Sequence, residues 1–414
     1  MTNAYDRVRY PSLAAAKTHP AVLGAFAKLF GKPFAPSDAA RVLEIGCGEG
    51  INLINMALCA PQSEFVGIDL AETAIAAARA TAKALALQNV RFDLQDIVRL
   101  DRSLGRFDYI IAHGVYAWTP AAVSEALMRL VGQSLSEVGL AFISYNAYPG
   151  ARFRQILREM MLSVAGDVAD PEEKLGVARS VLAHMAEIWS RADPFQNALQ
   201  VAARNILERP LGSLFHDELG EHYEPRLLSD VIAAARKVGL DYLCDTKADL
   251  CAEALFPSEK STAAPPYAKR DWASFEQLSD FSEMRFFRNS IFCRGGDIDR
   301  RLEAGRLRGL WAYGDLRPAE RDPQSPDATV FATEKGSTIS TNSVKLIKLI
   351  ERLAAASPAA IPLDEAAEAP DLAAAVLRLF VAKLVRLRTA PFALTTTPGD
   401  RPAASALARL QAAR

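Results

Sequence analysis

Apolar residues in the first third of the chain come in short solid runs. Each run is followed by a stretch in which apolar positions recur every three or four residues. Val42-Leu43-Glu44-Ile45, Phe65-Val66-Gly67-Ile68-Asp69, Val90-Arg91-Phe92, Phe107 to Ala112 and Leu140 to Tyr145 predict five strands. The intervening segments 51–59, 74–87 and 121–135 predict helices. In the second of them Ile75, Ala78, Ala82 and Leu85 share one face, with Arg79 and Lys83 off it. Strands alternating with helices at this spacing predict a parallel sheet covered on both faces, an α/β architecture.

The alternation stops at Pro149. Residues 149–211 carry only helical patterns, punctuated by Pro171, Pro194 and Pro210. It resumes with an amphipathic segment from Leu227 to Val238, capped by Gly239, and a strand-like Leu240-Asp241-Tyr242-Leu243-Cys244. A further short strand is expected over Asn289 to Arg294. These two late strands are expected to complete the sheet, which makes the helical block an insertion. Ahead of strand one, a helix is expected between Pro11 and Phe30. Past the Gly295-Gly296 boundary, 317–343 reads as a loop with little core. Leu346, Leu349, Ile350 and Leu353 predict one helix, and Leu377, Phe380, Val381 and Leu384 another. Pro391 to Leu394 reads as an edge strand and the residues after Thr396 as a flexible tail. The expected division is a core at 1–148, a helical insertion at 149–221, completion of the sheet at 222–297, and a small C-terminal α+β domain at 298–414.

Composition narrows the function classes. The chain has 414 residues, 50% of them hydrophobic, and a formal net charge of −1. That is ample material for two or three cored domains and gives no electrostatic footprint for nucleic acid. No uncharged run approaches the roughly 18 apolar residues of a membrane helix, and the N-terminus lacks the apolar stretch of a secretory signal. Five cysteines without a Cys-x-x-Cys pair are expected as reduced thiols in a cytoplasmic protein. No metal site is expected. His216 and His222 lie six apart rather than on one helical face, and Asp217, Glu218 and Glu224 read as solvated loop charges.

The candidate chemistry begins at Glu44-Ile45-Gly46-Cys47-Gly48-Glu49-Gly50, directly after a strand and before a helix. Glycines at such a bend let the backbone adopt positive φ and pass close to a ligand. A dinucleotide loop places its third glycine where Ile51 stands here, which weakens a dehydrogenase reading. A phosphate-binding loop would need Gly-Lys-Ser/Thr, which is absent. The spelling Glu-x-Gly-x-Gly-x-Gly is the one used by class I methyltransferases. Asp69 ends the second strand, where a carboxylate accepts from ribose hydroxyls. Asp96 follows the third, where it is expected to accept from an adenine amino group with Leu70 and Ile97 flanking the ring. In this order the elements predict a site for a nucleoside sulfonium, S-adenosylmethionine, on Glu44, Gly46, Cys47, Gly48, Gly50, Asp69, Leu70, Asp96 and Ile97.

After strand four, His113-Gly114-Val115-Tyr116-Ala117-Trp118-Thr119-Pro120 forms a polar-aromatic cluster at the strand's carboxyl end, where open α/β sheets bind ligands. His113 and Tyr116 are expected beside the sulfonium, and Trp118 offers an aromatic face for a cation or ordinary core packing. The Asn/Asp-Pro-Pro-Tyr/Phe sequence of adenine and amide N-methyltransferases is absent. For a lysine acceptor, His113 or Tyr145 would take or relay the proton.

These residues resemble a bacterial family that joins a class I methyltransferase to a methyltransferase regulatory domain. The matching words are Tyr10-Pro11, Thr18-His19-Pro20, Val42 to Gly48, Phe107 to Ile111 with His113-Gly114-Val115-Tyr116, Ser144-Tyr145-Asn146 with Tyr148-Pro149-Gly150, Phe215 to Leu219, and Phe287-Arg288-Asn289-Ser290. The resemblance implies a Rossmann-like doubly wound sheet and S-adenosylmethionine as cofactor. It implies Tyr10 and His19 as a lid over the cofactor, and Asn146, His216 and Trp118 on the acceptor side. Family members include protein-lysine methyltransferases that modify outer-membrane proteins, so a protein lysine is one implied acceptor. A small-molecule O- or N-acceptor, or a non-catalytic cofactor-binding scaffold, remains the alternative. Arg7 and Ala117 depart from the family's usual acid and serine, and a homodimer contact is expected through the helical insertion.

Overall fold

The computed structural model describes residues 8, 10, 12–100, 104–251, 272–296, 298, 299, 303–320, 327–392, 394, 400 and 402–413, with 250 and 251 described by backbone alone. Seven strands form the main sheet: β1 (Arg41–Ile45), β2 (Glu64–Asp69), β3 (Val90–Leu94), β4 (Phe107–Ala112), β5 (Leu135–Asn146), β6 (Leu240–Asp245) and β7 (Phe287–Arg294). Their spatial order is β3-β2-β1-β4-β5-β7-β6. The first five pair in parallel, and β7 runs antiparallel between β5 and β6. The late strands therefore lie in the same sheet as the early ones.

Each face of the sheet has its own apolar core. On one, Val42, Phe65, Tyr109, Phe142 and Ile291 pack with helices α1 (Pro20–Leu29), α2 (Ile51–Cys59) and α3 (Glu72–Ala84). On the other, Leu43, Val66, Ile110, Ile143 and Phe292 pack with α4 (Ala121–Ser134). Alternate residues of each strand feed opposite cores, which is why both parities along the strands had to be apolar.

The insertion folds as α5 (Gly150–Ala165), α6 (Pro171–Ile188), α7 (Pro194–Leu207) and α8 (Leu211–Leu219) around a third core that includes Leu157, Met161, Leu182 and Leu214. Pro171 and Pro194 open their helices, with the carboxylates of Asp170 and Asp193 accepting from the first free N–H groups at 2.9–3.1 Å. A proline at that position loses no helical bond. The chain then returns to the second core through α9 (Leu228–Arg236) and α10 (Trp272–Ser282).

Arg288 of β7 locks α10 to the sheet. It is fully buried. It donates to both oxygens of Asp280 at 2.7 and 2.8 Å, to Glu276 at 2.8 Å and to the Tyr242 hydroxyl at 3.0 Å.

The C-terminal region differs from expectation in three places. First, residues 317–343 contain a three-stranded antiparallel sheet, β9 (Arg317–Pro318), β10 (Thr329–Ala332) and β11 (Thr338–Thr341), rather than loop alone. The pattern hid it because few of its residues are covered: among those described, Val330 and Phe331 are buried and Ile339 packs against the first core. Second, the expected strand at 391–394 lies instead at β13 (Arg386–Arg388), which pairs with β8 (Trp311–Tyr313) beside β12 (Ile361–Pro362). Pro391 has no N–H to donate to a ladder; Ala393 lies outside the described residues. Third, a helix occupies Ala406–Ala412 in the expected tail, with Leu407 buried. At the other end, α1 starts at Pro20 rather than near Pro11, because the His19 ring accepts from Ala21 N–H at 3.1 Å and caps it.

Helices α11 (Val344–Ala356) and α12 (Pro370–Val381) do not build a separate core. They extend the first one, with Phe380 stacked on Phe26 of α1 at 5.5 Å.

Replacing Arg288 by leucine would leave the buried Glu276 without its cation and Asp280 with Arg285 alone. We expect a loss of about 3–5 kcal/mol, read as a lower urea midpoint.

Candidate functional site

The carboxyl ends of β1, β2, β4 and β5 meet at the glycine bend. Gly46, Gly48 and Gly50 all have positive φ, at 73°, 53° and 70°, a region that penalises side chains. A Cβ at Gly46 would come within 2.5 Å of Val115, whereas one at Gly48 would meet nothing within 4 Å. The bend is thus closed on one side by the loop after β4 and open on the other.

Asp69 braces it: one carboxylate oxygen accepts from Gly48 N–H at 2.8 Å and the other from Ala71 N–H at 2.9 Å. Leu70 next to it is 61% exposed, and Leu94 and Val98 also face outward. Apolar side chains standing free at a strand end offer a surface for a flat ring. Asp96 is half-exposed; it accepts from Val98 N–H at 2.9 Å and sits 3.6 Å from Arg99, while Ile97 packs against the second core.

Glu44 is buried beneath the bend. One oxygen accepts from Asn52 at 2.9 Å; the other is buried with no partner among the described residues. Burial raises its pKa from the usual 4.5 to about 8, against the lowering effect of the Asn52 bond. A buried, unsatisfied carboxylate oxygen is uncommon and calls for a partner. Asn146, at the end of β5, likewise has a buried side-chain N–H₂ without one. Burial, with Asp69 and Glu44 nearby, pushes the Cys47 thiol well up, which keeps it unreactive at neutral pH.

His113 lies across from the bend. Its Nδ1 is 2.7 Å from Ser144 Oγ, which also accepts from Gly114 N–H at 2.9 Å. Burial, then the charge of Lys17, lower its pKa to about 4, so the ring is neutral. If Ser144 Oγ takes both N–H bonds, Nε2 is left as an acceptor. Tyr145, the next residue on β5, points to the opposite face. It is fully buried, its hydroxyl is 3.0 Å from Ser290 Oγ, and its pKa is raised by burial. Tyr116 packs edge-on against it at 6.1 Å.

Two aromatic faces expected to receive a cation already hold internal ones: Arg226 lies over Tyr116 at 5.7 Å and Arg154 over Trp118 at 5.8 Å. The insertion carboxylates are not solvated charges as the sequence suggested. Glu218 is fully buried and paired with Arg154 and Arg209, and Asp217 is 2.9 Å from Arg209. His216 is also buried, 2.6 Å from Val8 O, with Tyr10 edge-on at 5.7 Å. Burial first, then the Asp217 carboxylate, push the Tyr10 hydroxyl up to about 12. Tyr10 is thereby grouped with the insertion. Arg7 lies outside the described residues.

Two residues of this corner escaped sequence reasoning. Ser144 stands 31 positions from its partner His113, with no local signal. Asn52 had one, as the polar residue in Ile51-Asn52-Leu53-Ile54, an otherwise apolar helix start. A cavity of about 390 Å³ lined by Arg106, Arg129, Gln133, Glu137 and Arg294 lies at the opposite end of the parallel strands.

Residues 36–185 match the family described as a methyltransferase domain, and 212–294 match the predicted methyltransferase regulatory domain. PKMT2 from Rickettsia typhi superposes with a TM-score of 0.81 at 28% identity, over 94% of this chain and 79% of that one. Its complex with AdoHcy gives 0.78 at 27%, over 94% and 78%. The uncharacterised protein RP028 of Rickettsia prowazekii is 35% identical over 53% of this chain and 88% of its own length.

The chain belongs to the S-adenosylmethionine-dependent methyltransferases that carry this regulatory domain. A second uncharacterised relative, RP789 of the same organism, is 32% identical over 70% of this chain. The match spans about half the length of RP789, 52% of it. The methyltransferase's own residues fit the cofactor: an open glycine bend, a carboxylate at the end of β2, an apolar ledge at Leu70, and unsatisfied polar groups on Glu44 and Asn146.

Two outcomes are expected. Asp69→Ala should weaken AdoHcy binding at least tenfold in calorimetry, since it removes the bend's brace and the carboxylate expected to accept from the ribose. Glu44 has a folded pKa above its unfolded value, so the folded state holds the extra proton between about 4.5 and 8. Stability from this group is full below that window and declines as pH rises through it. Glu44→Gln should remove that decline from the urea midpoint measured across the window.

Proposed function

We propose that the protein transfers a methyl group from S-adenosylmethionine to the side-chain amine of a lysine on another protein. The observation that carries this reading is the likeness to PKMT2 of Rickettsia typhi over 94% of this chain, joined to the resemblance to a family that includes protein-lysine methyltransferases. The cofactor, when bound, supplies an electrophilic methyl on a positively charged sulfur.

The chain's part is positioning and water exclusion. Asp69 is placed to orient the ribose, and Asp96 with Leu70 and Ile97 to frame the adenine. The backbone of Gly46–Gly50, with Cys47 buried beneath it, carries the ligand past without side-chain obstruction. A lysine amine has a free pKa of roughly 10.4 and must shed its proton to act as nucleophile. Entry beside a cation into a partly desolvated corner lowers that value.

His113 is the residue placed to take a hydrogen bond from the amine. Its ring is already neutral, and Ser144 fixes its orientation. With a conjugate-acid pKa near 4, it orients the lone pair and hands the proton on to solvent rather than holding it. Tyr145 is given no proton-transfer role, because its hydroxyl is committed to Ser290. Asn146, His216, Trp118 and Tyr116 form the wall on the acceptor side.

The test is incubation with methyl-labelled S-adenosylmethionine and fractionated bacterial protein, followed by acid hydrolysis. Label recovered as methyl-lysine supports the reading; label confined to small molecules sinks it. Separately, His113→Ala should lower turnover at least tenfold with AdoHcy affinity changed less than threefold. Equal losses would place His113 with the cofactor alone.

A further inference from the structure

The candidate cofactor residues leave one charge unanswered. Among the candidate cofactor residues Asp69 and Asp96 are carboxylates, Glu44 keeps its proton up to about pH 8, His113 is neutral and none is a cation, yet the amino-acid end of S-adenosylmethionine carries a carboxylate at neutral pH. A carboxylate placed among carboxylates needs a cation.

The short turn before α1 lies against this corner. Asn52 holds it through two hydrogen bonds and ties it to Glu44 by a third. Its Oδ1 accepts from Ala15 N–H at 2.9 Å, and its Nδ2 donates to Thr18 Oγ1 at 3.0 Å and to Glu44 Oε1 at 2.9 Å. Thr18 in turn donates to Ala15 O at 2.8 Å. Asn52, Thr18 and Glu44 are all buried. One amide thus joins residues 15–18 to the carboxylate beneath the bend, with both its N–H donors used.

Lys17 sits on that strap. Its ammonium lies 5.5 Å from the centre of the Phe287 ring, which packs at 6.2 Å against His113. Among the described residues it forms no ion pair. Asp245 is the carboxylate nearest in effect, but it is committed elsewhere. Its oxygens accept from Asn289 N–H at 2.7 Å and Lys247 N–H at 2.9 Å, and it lies 3.9 Å from Arg288. Lys247 adds like charge to the same surroundings, and His113 is neutral. Half-burial without a counter-ion pulls the Lys17 pKa down, with Asp245 only partly opposing.

We propose that Lys17 binds the carboxylate of the cofactor's amino-acid end, and that residues 15–18 form a strap joined to the cofactor corner by Asn52. Binding then supplies the anion that this half-buried ammonium lacks. The strap and the cofactor hold each other in place, with Glu44 and Lys17 on either side of the zwitterionic end. The inference rests on the cofactor and not on the identity of the acceptor.

Calorimetry with two probes tests it: AdoHcy, and its decarboxylated analogue, which keeps the adenosine, thioether and ammonium. Lys17→Met should weaken AdoHcy tenfold or more and leave the analogue within twofold. Lys17→Arg should recover most of the AdoHcy affinity. Asn52→Ala, once shown to be folded by its melting curve, should also weaken AdoHcy, and adding Lys17→Met should cost less than it does alone. Equal losses for both probes, or no loss for either, would overturn the assignment. So would intact AdoHcy affinity with lost methyl transfer in Lys17→Met, which would put the lysine on the acceptor side.

Discussion

Two hydrogen bonds to one carboxylate organise the working end of this protein. Asp69 takes the Gly48 N–H across from β1 and the Ala71 N–H at the start of the next helix. It thereby pins the glycine bend to β2 at the place where the backbone must stay open. Glycine alone would leave the bend floppy, and an acid alone would be one more charge at a strand end. Together they form a rim that is open at Gly48, where a Cβ would meet nothing within 4 Å, and closed at Gly46 by Val115. The remainder of the site is arranged around that rim.

A division of charge follows. Near the rim, polar groups are left unsatisfied: an oxygen of Glu44 and the amide nitrogen of Asn146. In the insertion the reverse holds. Arg154 and Arg209 surround Glu218 and Asp217, and Arg154 also covers Trp118. Buried pairs of this kind add little net stability but fix one arrangement, because a misplaced partner leaves a charge stranded. The insertion is thereby fixed in one arrangement, whereas the rim keeps groups without partners among the described residues.

The sequence made the rim legible because everything in it is local. A strand, a glycine bend and a helix follow within Arg41–Cys59, and Asp69 closes the apolar run of β2. It concealed whatever depends on distant pairing. Ser144 meets His113 only because β5 lies beside β4. Glu218 looked solvated because Arg154 is 64 positions away. The hairpin at 329–341 was invisible because its strands bury so few residues that composition outweighed alternation. Helix α1 was drawn too long for a related reason: alanines 14–16 have helical propensity, but Asn52 holds Ala15 and Thr18 in another conformation.

Helix α1 joins two parts of the molecule that the sequence suggested were separate. Its amino-terminal end follows directly from Thr18 and the cofactor corner. Thr389 N–H reaches Ala21 O at 2.9 Å in its first turn, and farther along Phe26 packs on Phe380 and Arg306 donates to Leu29 O at 3.0 Å. Ten helical residues span about 15 Å, so the C-terminal segment grips a short stiff rod along its length, and that rod follows directly on the turn that Asn52 ties to Glu44. Shortening the chain after Gly296 would do more than remove an appendage: it would strip the outer lining from the first core and release the rod.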